Sequence, residues 1–440
     1  MNHPSRFVSL GLALAVVGIG ETGIAPRPVV AAETAESTAA PASDVTWPSF
    51  QNGGVVAGDW NGLPQQWSSQ EGVAWQAEVA GIGQSTPLVA GGRVFVTSVS
   101  GDNKEHYHLT ALDLASGSRL WEQPFANPTP VENTNYVSRA APTGVVHEGG
   151  VITPFEGGLV VSVDADGDIR WRRDLVADYG PITARHGLAS SLEQNASAVF
   201  SMIERGEAPY VVALAKDTGQ TIWKVDGLGV TSWSTPRLVP TSWGDHLVCS
   251  GSGRVIGLDP ETGRLLWDLT DISNNSTCTP VPVGENRFLI GASDGRGEEN
   301  AGSGASSNGV IEIRRDEGGF AAGFVWRAEK ASSSFGTPIA AADSVWIVNR
   351  AGVLFRLDLE TGEQQNTTRV DSGSIWATPL ATRSHLYLFG QKGTTTLVEL
   401  PAGRPVASSS LESDGETLYG VALAGSRLLF RFGSRVIAVK

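Results

Sequence analysis

At 440 residues the chain is long enough for two or three ordinary domains or for one large repeat array, and its 53 glycines and 23 prolines suit many short strands joined by turns rather than helices. The formal net charge of -14 argues against a nucleic-acid or anionic-membrane partner, which would require a basic surface. The two cysteines form no Cys-x-x-Cys pair, which argues against a thiolate metal site.

Arg6 precedes an apolar run from Phe7 to Gly20, too short and too lightly flanked for a spanning helix and typical of an export signal. Val30-Ala31-Ala32 offers a cleavage site, with Gly18-Ile19-Gly20 as an alternative. Residues 1–32 are therefore expected to be a signal peptide and 33–46, rich in Ala, Thr, Ser and Pro, a disordered leader. No cysteine precedes Cys249, so no lipid-attachment box is seen, and the expected location is periplasmic or secreted, with no transmembrane helix in the mature protein.

The rest, 47–440, reads as one domain in which a lead-in (47–74) is followed by repeats. The clearest repeat runs from Arg254 to Trp267: a strand, an Asp259-Pro260-Glu261-Thr262-Gly263 turn, and a second strand carrying tryptophan. Ala111 to Trp121 keeps the same alanine, aspartate, glycine and tryptophan; Ala213 to Trp223 keeps all but the aspartate, replaced by Ala215; Arg356 to Gly362 keeps the turn but has Asn366 where tryptophan is due. A second marker, Thr-Pro opening a strand, stands at Thr86, Thr235, Thr279, Thr337 and Thr378. Degenerate starts at Ala141-Pro142, Ala189-Ser190-Ser191 and Tyr419-Gly420-Val421 bring the count to eight.

The two ends of the chain share one repeat. Trp75 lies 11 residues before Thr86, the spacing of Trp326 to Thr337, so it belongs to a unit with no beginning. Arg435 to Lys440 matches Arg254 to Asp259 and stops where the turn should follow. The expected fold is all-β, an eight-bladed β-propeller of four-stranded blades closed by pairing of the N- and C-terminal strands, with about 46 residues per blade. Closure in this way removes the exposed edges of an open array.

The Ala-x-Asp-x-x-Thr-Gly-x-x-x-Trp pattern resembles the tryptophan-docking repeat of pyrroloquinoline-quinone-type (quinoprotein-like) propellers. The opening, Trp47-Pro48-Ser49-Phe50, Gly62-Leu63-Pro64, Trp67 and Val73-Ala74-Trp75, is similar to that of exported bacterial quinone-repeat proteins. The superfamily includes quinoprotein alcohol dehydrogenases and the propeller subunit of the outer-membrane β-barrel assembly machine. The resemblance implies the fold; its shared residues are structural and do not choose among functions.

Cys249 and Cys278 flank Trp267 on neighbouring repeats and read either as one disulfide or as two small buried apolar side chains. Asp164-Ala165-Asp166-Gly167-Asp168 imitates a calcium loop, but Ile169 and Leu175 stand where glycine and the bidentate glutamate belong, so it reads as the turn of the second blade and no metal ligand is assigned. Gly291 to Asn308, rich in Gly and Ser, reads as an insertion between strands.

Residues just before the inner strands ring the central mouth: Tyr136, Ser138 and Arg139; Arg185 and His186; Ser232 and Trp233; Asn274 and Asn275; Phe335; Ile375 and Trp376; Tyr419. From these, Arg139, His186, Trp233, Asn275 and Trp376 are the candidate residues for a ligand or partner, since aromatics and arginine dominate binding hot spots. No catalytic residue is assigned.

Three functions fit. One is an exported, non-catalytic binding or assembly scaffold whose periplasmic or extracellular protein or small ligand sits at the mouth. The second is a pyrroloquinoline quinone-dependent dehydrogenase; enzymes of that class generally carry an adjacent cysteine pair and calcium ligands with an aspartate base. This chain lacks such a pair, so no cofactor is expected. The third is a carbohydrate- or small-ligand-binding propeller.

Overall fold

In each repeat the middle strands are apolar on both faces and the outer one alternates. Gly150–Pro154 and Leu159–Val163 are buried at every position, whereas Ile169–Asp174 exposes Ile169 and Arg170 and buries Trp171. A sheet apolar on both faces must be covered on both, and here the covers are the neighbouring sheets. The computed structural model, which describes residues 46–134, 137–184, 186–205, 208–227, 232–294 and 303–440, is accordingly an eight-bladed β-propeller. Its blades are 88–126, 145–174, 193–226, 237–269, 281–327, 339–369, 380–410 and 421–439 with 73–78, each a four-stranded sheet in simple up-and-down order except the last. There Val73–Glu78 completes the blade as its outermost strand, antiparallel to Arg435–Val439 with Trp75 opposite Ala438. The expected signal and leader lie outside the described residues.

Every residue of the repeat motif has a local task. The alanine lies opposite the tryptophan across the two outer strands: Trp121 faces Ala111 and Trp223 faces Ala213, beside a register shift that recurs in every blade. The aspartate folds the turn. Asp259 Oδ1 accepts from the N–H groups of Glu261 and Thr262, and Asp358 from Glu360 and Thr361. The Thr361 hydrogen bonds hold the Asp358 carboxyl below the usual carboxylate range. Asp164 makes the same turn with the N–H groups of Asp166 and Asp168, which accounts for the calcium-like spelling there. The glycine is needed twice over. Gly263 has φ 73°, and a Cβ there would stand 2.7 Å from the indole of Trp223 on the preceding blade.

The indole that covers the glycine also donates to the turn. Trp75, Trp121, Trp171, Trp223 and Trp326 give their Nε1–H to the carbonyls of Leu114, Ala165, Lys216, Pro260 and Leu359, at 2.7–3.0 Å. Five of the eight seams are closed this way. The other three use different aromatics. Trp267 donates to His246 Nδ1 at 3.0 Å and stacks on Phe288 of blade 5, because that blade turns from Asp316 to Gly319 without a Thr-Gly platform. Between blades 6 and 7, Asn366 donates to the Ala402 carbonyl, and Trp346 approaches Gly403. Between blades 7 and 8 the lead-in supplies Trp67: its N–H is bonded to Ser409 Oγ at 3.0 Å, and its ring lies 5.8 Å from that of Phe430.

The Thr-Pro threonines form a collar around the axis. The backbone N–H of Thr86 donates to Thr143 Oγ1, Thr143 to Ser191, Ser191 to Thr235, Thr235 to Thr279 and Thr279 to Thr337, all at 3.0–3.2 Å. The second blade therefore starts on Thr143, two residues beyond the Ala141-Pro142 expected from sequence. Gly420 closes the collar beside Thr86, whose hydroxyl fills the place of a Cβ.

Cys249 and Cys278 are both free and fully buried, so the reading as small apolar side chains holds. Burial pushes both thiols up, Cys278 to about 11. If Trp67 closes a seam as the blade tryptophans do, Trp67→Ala should destabilise the ring by about 3–5 kcal/mol, as much as Trp223→Ala. Chemical denaturation of the two variants measures this; a near-neutral Trp67→Ala would remove the lead-in from the closure of the ring.

Candidate functional site

The inner strands begin on one face of the ring and end on the other, and the two faces are built differently. On the face where they end, the lead-in crosses the axis. Trp47 pairs with Val89 of blade 1, the Pro48 carbonyl accepts from Val146 of blade 2, and Gly54 lies against Pro282 of blade 5. Between them the 3-10 turn Phe50–Gly54 holds Gln51 at φ 54° and drives its side chain up the axis. The Gln51 amide donates to both Thr337 and Thr378, the stretch of collar for which no direct threonine link is seen, and its carbonyl accepts from Arg237.

Arg237 is 1% exposed and donates to Glu193 Oε2 at 2.8 Å and to the Phe50 carbonyl. Burial pushes the Glu193 carboxyl up, against the pull of Arg237. Such a buried pair adds little net stability, yet losing one partner is costly, because it strands a charge without its counter-ion. Arg237→Met should therefore destabilise the protein by about 3–5 kcal/mol, and the double change with Glu193→Leu should recover most of that loss. Thermal melts of both variants test this; a double variant as unstable as the single would assign the pair a different role.

On the opposite face a chain of contacts runs around the mouth. The ring of Phe335 in blade 6 lies 4.5 Å from that of Trp376 in blade 7, and Trp376 meets Tyr419 of blade 8 edge-on at 5.6 Å. Gln84 of blade 1 donates to the Tyr419 hydroxyl at 3.1 Å and exchanges backbone and side-chain hydrogen bonds with Arg139 before blade 2. Ser138 donates to the His186 carbonyl at 2.7 Å, and the His186 ring lies 5.6 Å from Trp233 before blade 4. Phe335, Trp376, Tyr419, His186 and Trp233 are all half-buried, each with an edge or face in solvent. Arg350, exposed, lies 5.3 Å above Phe335. The rim thus continues from blade 6 round to blade 4 and is interrupted at blade 5.

A buried pair underlies the Arg139 segment. Lys104 donates to Glu156 at 3.3 Å and to the Ser138 carbonyl at 2.8 Å, while Glu156 also accepts from Ala140 N–H. Ala140 is held at φ 48°, a left-handed conformation that costs a residue with a Cβ roughly 1–3 kcal/mol.

Of the five candidates named from sequence, the structure puts four on this rim and one elsewhere. His186, Trp233 and Trp376 present surface. Arg139 is 7% exposed, with its guanidinium paired to Glu416 at 3.0 Å. Asn275 is fully buried in the wall of blade 4: it donates to Ser250 Oγ and the Arg254 carbonyl and accepts from Gly253 N–H. Arg185 and Tyr136 lie outside the described residues. Sequence reasoning missed Gln84, Glu416, Arg350 and the Lys104–Glu156 pair. Gln84 had a signal, for it stands two residues before Thr86 as Trp233, Phe335 and Trp376 stand before Thr235, Thr337 and Thr378.

With the fold and the rim in place, the relatives fall into order. The profile of the family described as outer membrane protein assembly factor BamB matches residues 32–191 and 211–368, more than two thirds of the chain. The chain belongs to this family. The BamB protein of Shewanella oneidensis is 21% identical over 379 residues, covering 75% of this chain and 89% of that protein. Among solved structures, BamB from Moraxella catarrhalis superimposes with a TM-score of 0.57 at 13% identity, covering 83% of this chain and 98% of that one. A europium-containing methanol dehydrogenase gives the same TM-score at 12% identity, covering 88% and 90%. The structural likenesses show the fold, a quinoprotein-type propeller, and the BamB relationship makes the chain a propeller scaffold of that type. No helix among the described residues is long and apolar enough to cross a membrane.

Proposed function

We propose that this protein is an exported, non-catalytic scaffold of outer-membrane protein assembly that holds an extended segment of a partner protein on the rim of its mouth. The observation that carries this reading is the rim itself: half-buried aromatics of five blades, joined through Gln84 and Arg139, face solvent while Gln51 fills the axis beneath them. Such side chains give large contact areas at small entropic cost, the pattern of interface hot spots. The relatives described as outer membrane protein assembly factors support the partner class, and the apolar segment after Arg6 supports export to the periplasm.

A crosslinking residue placed at Trp376 in cells should capture an outer-membrane assembly protein. Trp376→Ala and Trp233→Ala should weaken that association by about tenfold or more with little change in melting temperature. Trp223→Ala should do the reverse. Binding that falls only in step with stability, or crosslinks that form only from the Thr-Gly turn face, would overturn the assignment.

The donor set near the axis supports a scaffold over a quinone enzyme. The sequence has no adjacent cysteine pair, and Glu156 and Glu193 already serve Lys104 and Arg237. The residues present do not fit pyrroloquinoline quinone with its calcium. Titration of the purified protein with both should leave the quinone absorbance spectrum unchanged; a saturable spectral shift would reverse this reading.

A further inference from the structure

We propose a second binding site, for a neutral saccharide of one or two residues, in the cleft between the lead-in and blade 7 on the Thr-Gly turn face. The cleft has a volume of about 480 Å³ including its open mouth, within the range of roughly 300–1,000 Å³ usual for small-ligand sites. It lies on the far side of the ring from the aromatic rim and is independent of it.

Its walls are fixed in place. The lead-in runs as an added parallel strand beside blade 7, with Gly58 N–H donating to the Ala381 carbonyl and Ala381 N–H to that of Val56, both at 3.0 Å. Trp60 is steadied by Trp47, 6.1 Å away, and its ring lies over Gly58. On the other side the hairpin before the second strand of blade 7 is closed by Thr382, whose hydroxyl accepts from His385 N–H at 3.0 Å, and Ser384 Oγ bonds to His385 Nδ1 at 2.9 Å. These side chains line the cleft from two segments more than 300 residues apart in sequence.

Tyr387 points to an absent ligand. It lines the cleft, only 2% of it is exposed, and its hydroxyl has no hydrogen-bond partner among the described residues. A buried phenol ordinarily finds a partner. Burial pushes this one up to about 12, so it stays protonated and able to donate at any physiological pH.

The lining selects the ligand class. Asp59 and Arg383 face each other as a forked ion pair across the cleft, so neither an anion nor a cation meets an unbalanced charge. The remaining lining groups are the amides of Asn61 and Gln65, the hydroxyls of Thr382, Ser384 and Tyr387, and the His385 imidazole, with Leu63 and the Trp60 indole as the apolar parts. A dense set of neutral donors and acceptors beside an indole suits a polyhydroxylated ring, whose hydroxyls meet the amides and whose C–H face lies on the aromatic.

The full chain should be titrated calorimetrically with glucose, galactose, mannose, N-acetylglucosamine and their disaccharides. One of these should bind. Tyr387→Phe, which keeps the ring and removes only the hydroxyl, should weaken it roughly fivefold to tenfold, the effect of one lost hydrogen bond. Trp60→Ala should weaken it further, while Trp376→Ala on the opposite face should leave it unchanged. No binding by any of these sugars, or binding indifferent to Tyr387→Phe, or binding lost in Trp376→Ala, would overturn the proposal.

Discussion

Each blade of this ring is apolar on both faces and has nothing but its two neighbours to cover them, so eight seams must be filled at once. That constraint explains the repeat motif residue by residue. A tryptophan on the outer strand can reach the next blade only if its cross-strand partner is small, and it can lie flat only if the turn beneath it lacks a Cβ. Alanine and glycine are therefore set by the neighbour's indole as much as by their own backbone. The aspartate belongs to a different layer of the argument: it satisfies the turn's N–H groups and never touches the indole, which is why Ala215 can replace it while Gly219 N–H still bonds to the carbonyl of residue 215.

The inner radius is held by polar contacts instead. Where inner strands converge there is no room for large side chains, and backbone N–H groups facing the axis need acceptors. Threonine hydroxyls on the next blade supply them, giving a collar of neutral hydrogen bonds. The lead-in completes what the collar leaves open, with Gln51 bonded to Thr337, Thr378 and Arg237. The same segment then pairs with blade 7, closes the 7–8 seam with Trp67 and enters blade 8 as its last strand. One stretch of chain thus fills the axis and closes the ring, and so commits one face to structure.

What was legible in the sequence follows from this division. The blade count, the split blade and the turns could be read because each depends on residues a few positions apart. The exceptions could not. Trp267 carries the motif yet docks on Phe288, because blade 5 has a two-residue hairpin in place of the platform. Trp67 and Gln51 sit outside any repeat, and their partners lie some 300 residues away. Asn275 stands at the mouth in sequence and inside the wall in space, because the backbone groups of Gly253 and Arg254 next to it need partners. Arg139 was legible as a rim residue but not as an ion-paired one, since Glu416 approaches from the far end of the chain.

The positions that remain free of structural duty are informative for the same reason. Two residues before the collar the chain has left one blade and not yet entered the next, so no seam or turn prescribes what stands there. Blades 4, 6 and 7 place Trp233, Phe335 and Trp376 at that position, and blade 1 places Gln84. Partly exposed aromatics at sites the fold leaves open cost solubility and return nothing to the core, whereas the aromatics of the seams are buried and accounted for. The gap in the rim falls at blade 5, where Thr277 holds the equivalent position and where the long connection from 291 to 308 departs. An extended segment lying on the rim would therefore contact an arc rather than a full circle, entering or leaving beside blade 5. An arc of unequal side chains also has a direction, with Arg350 and Phe335 at one end and His186 and Trp233 at the other, so a partner held there is held in one orientation.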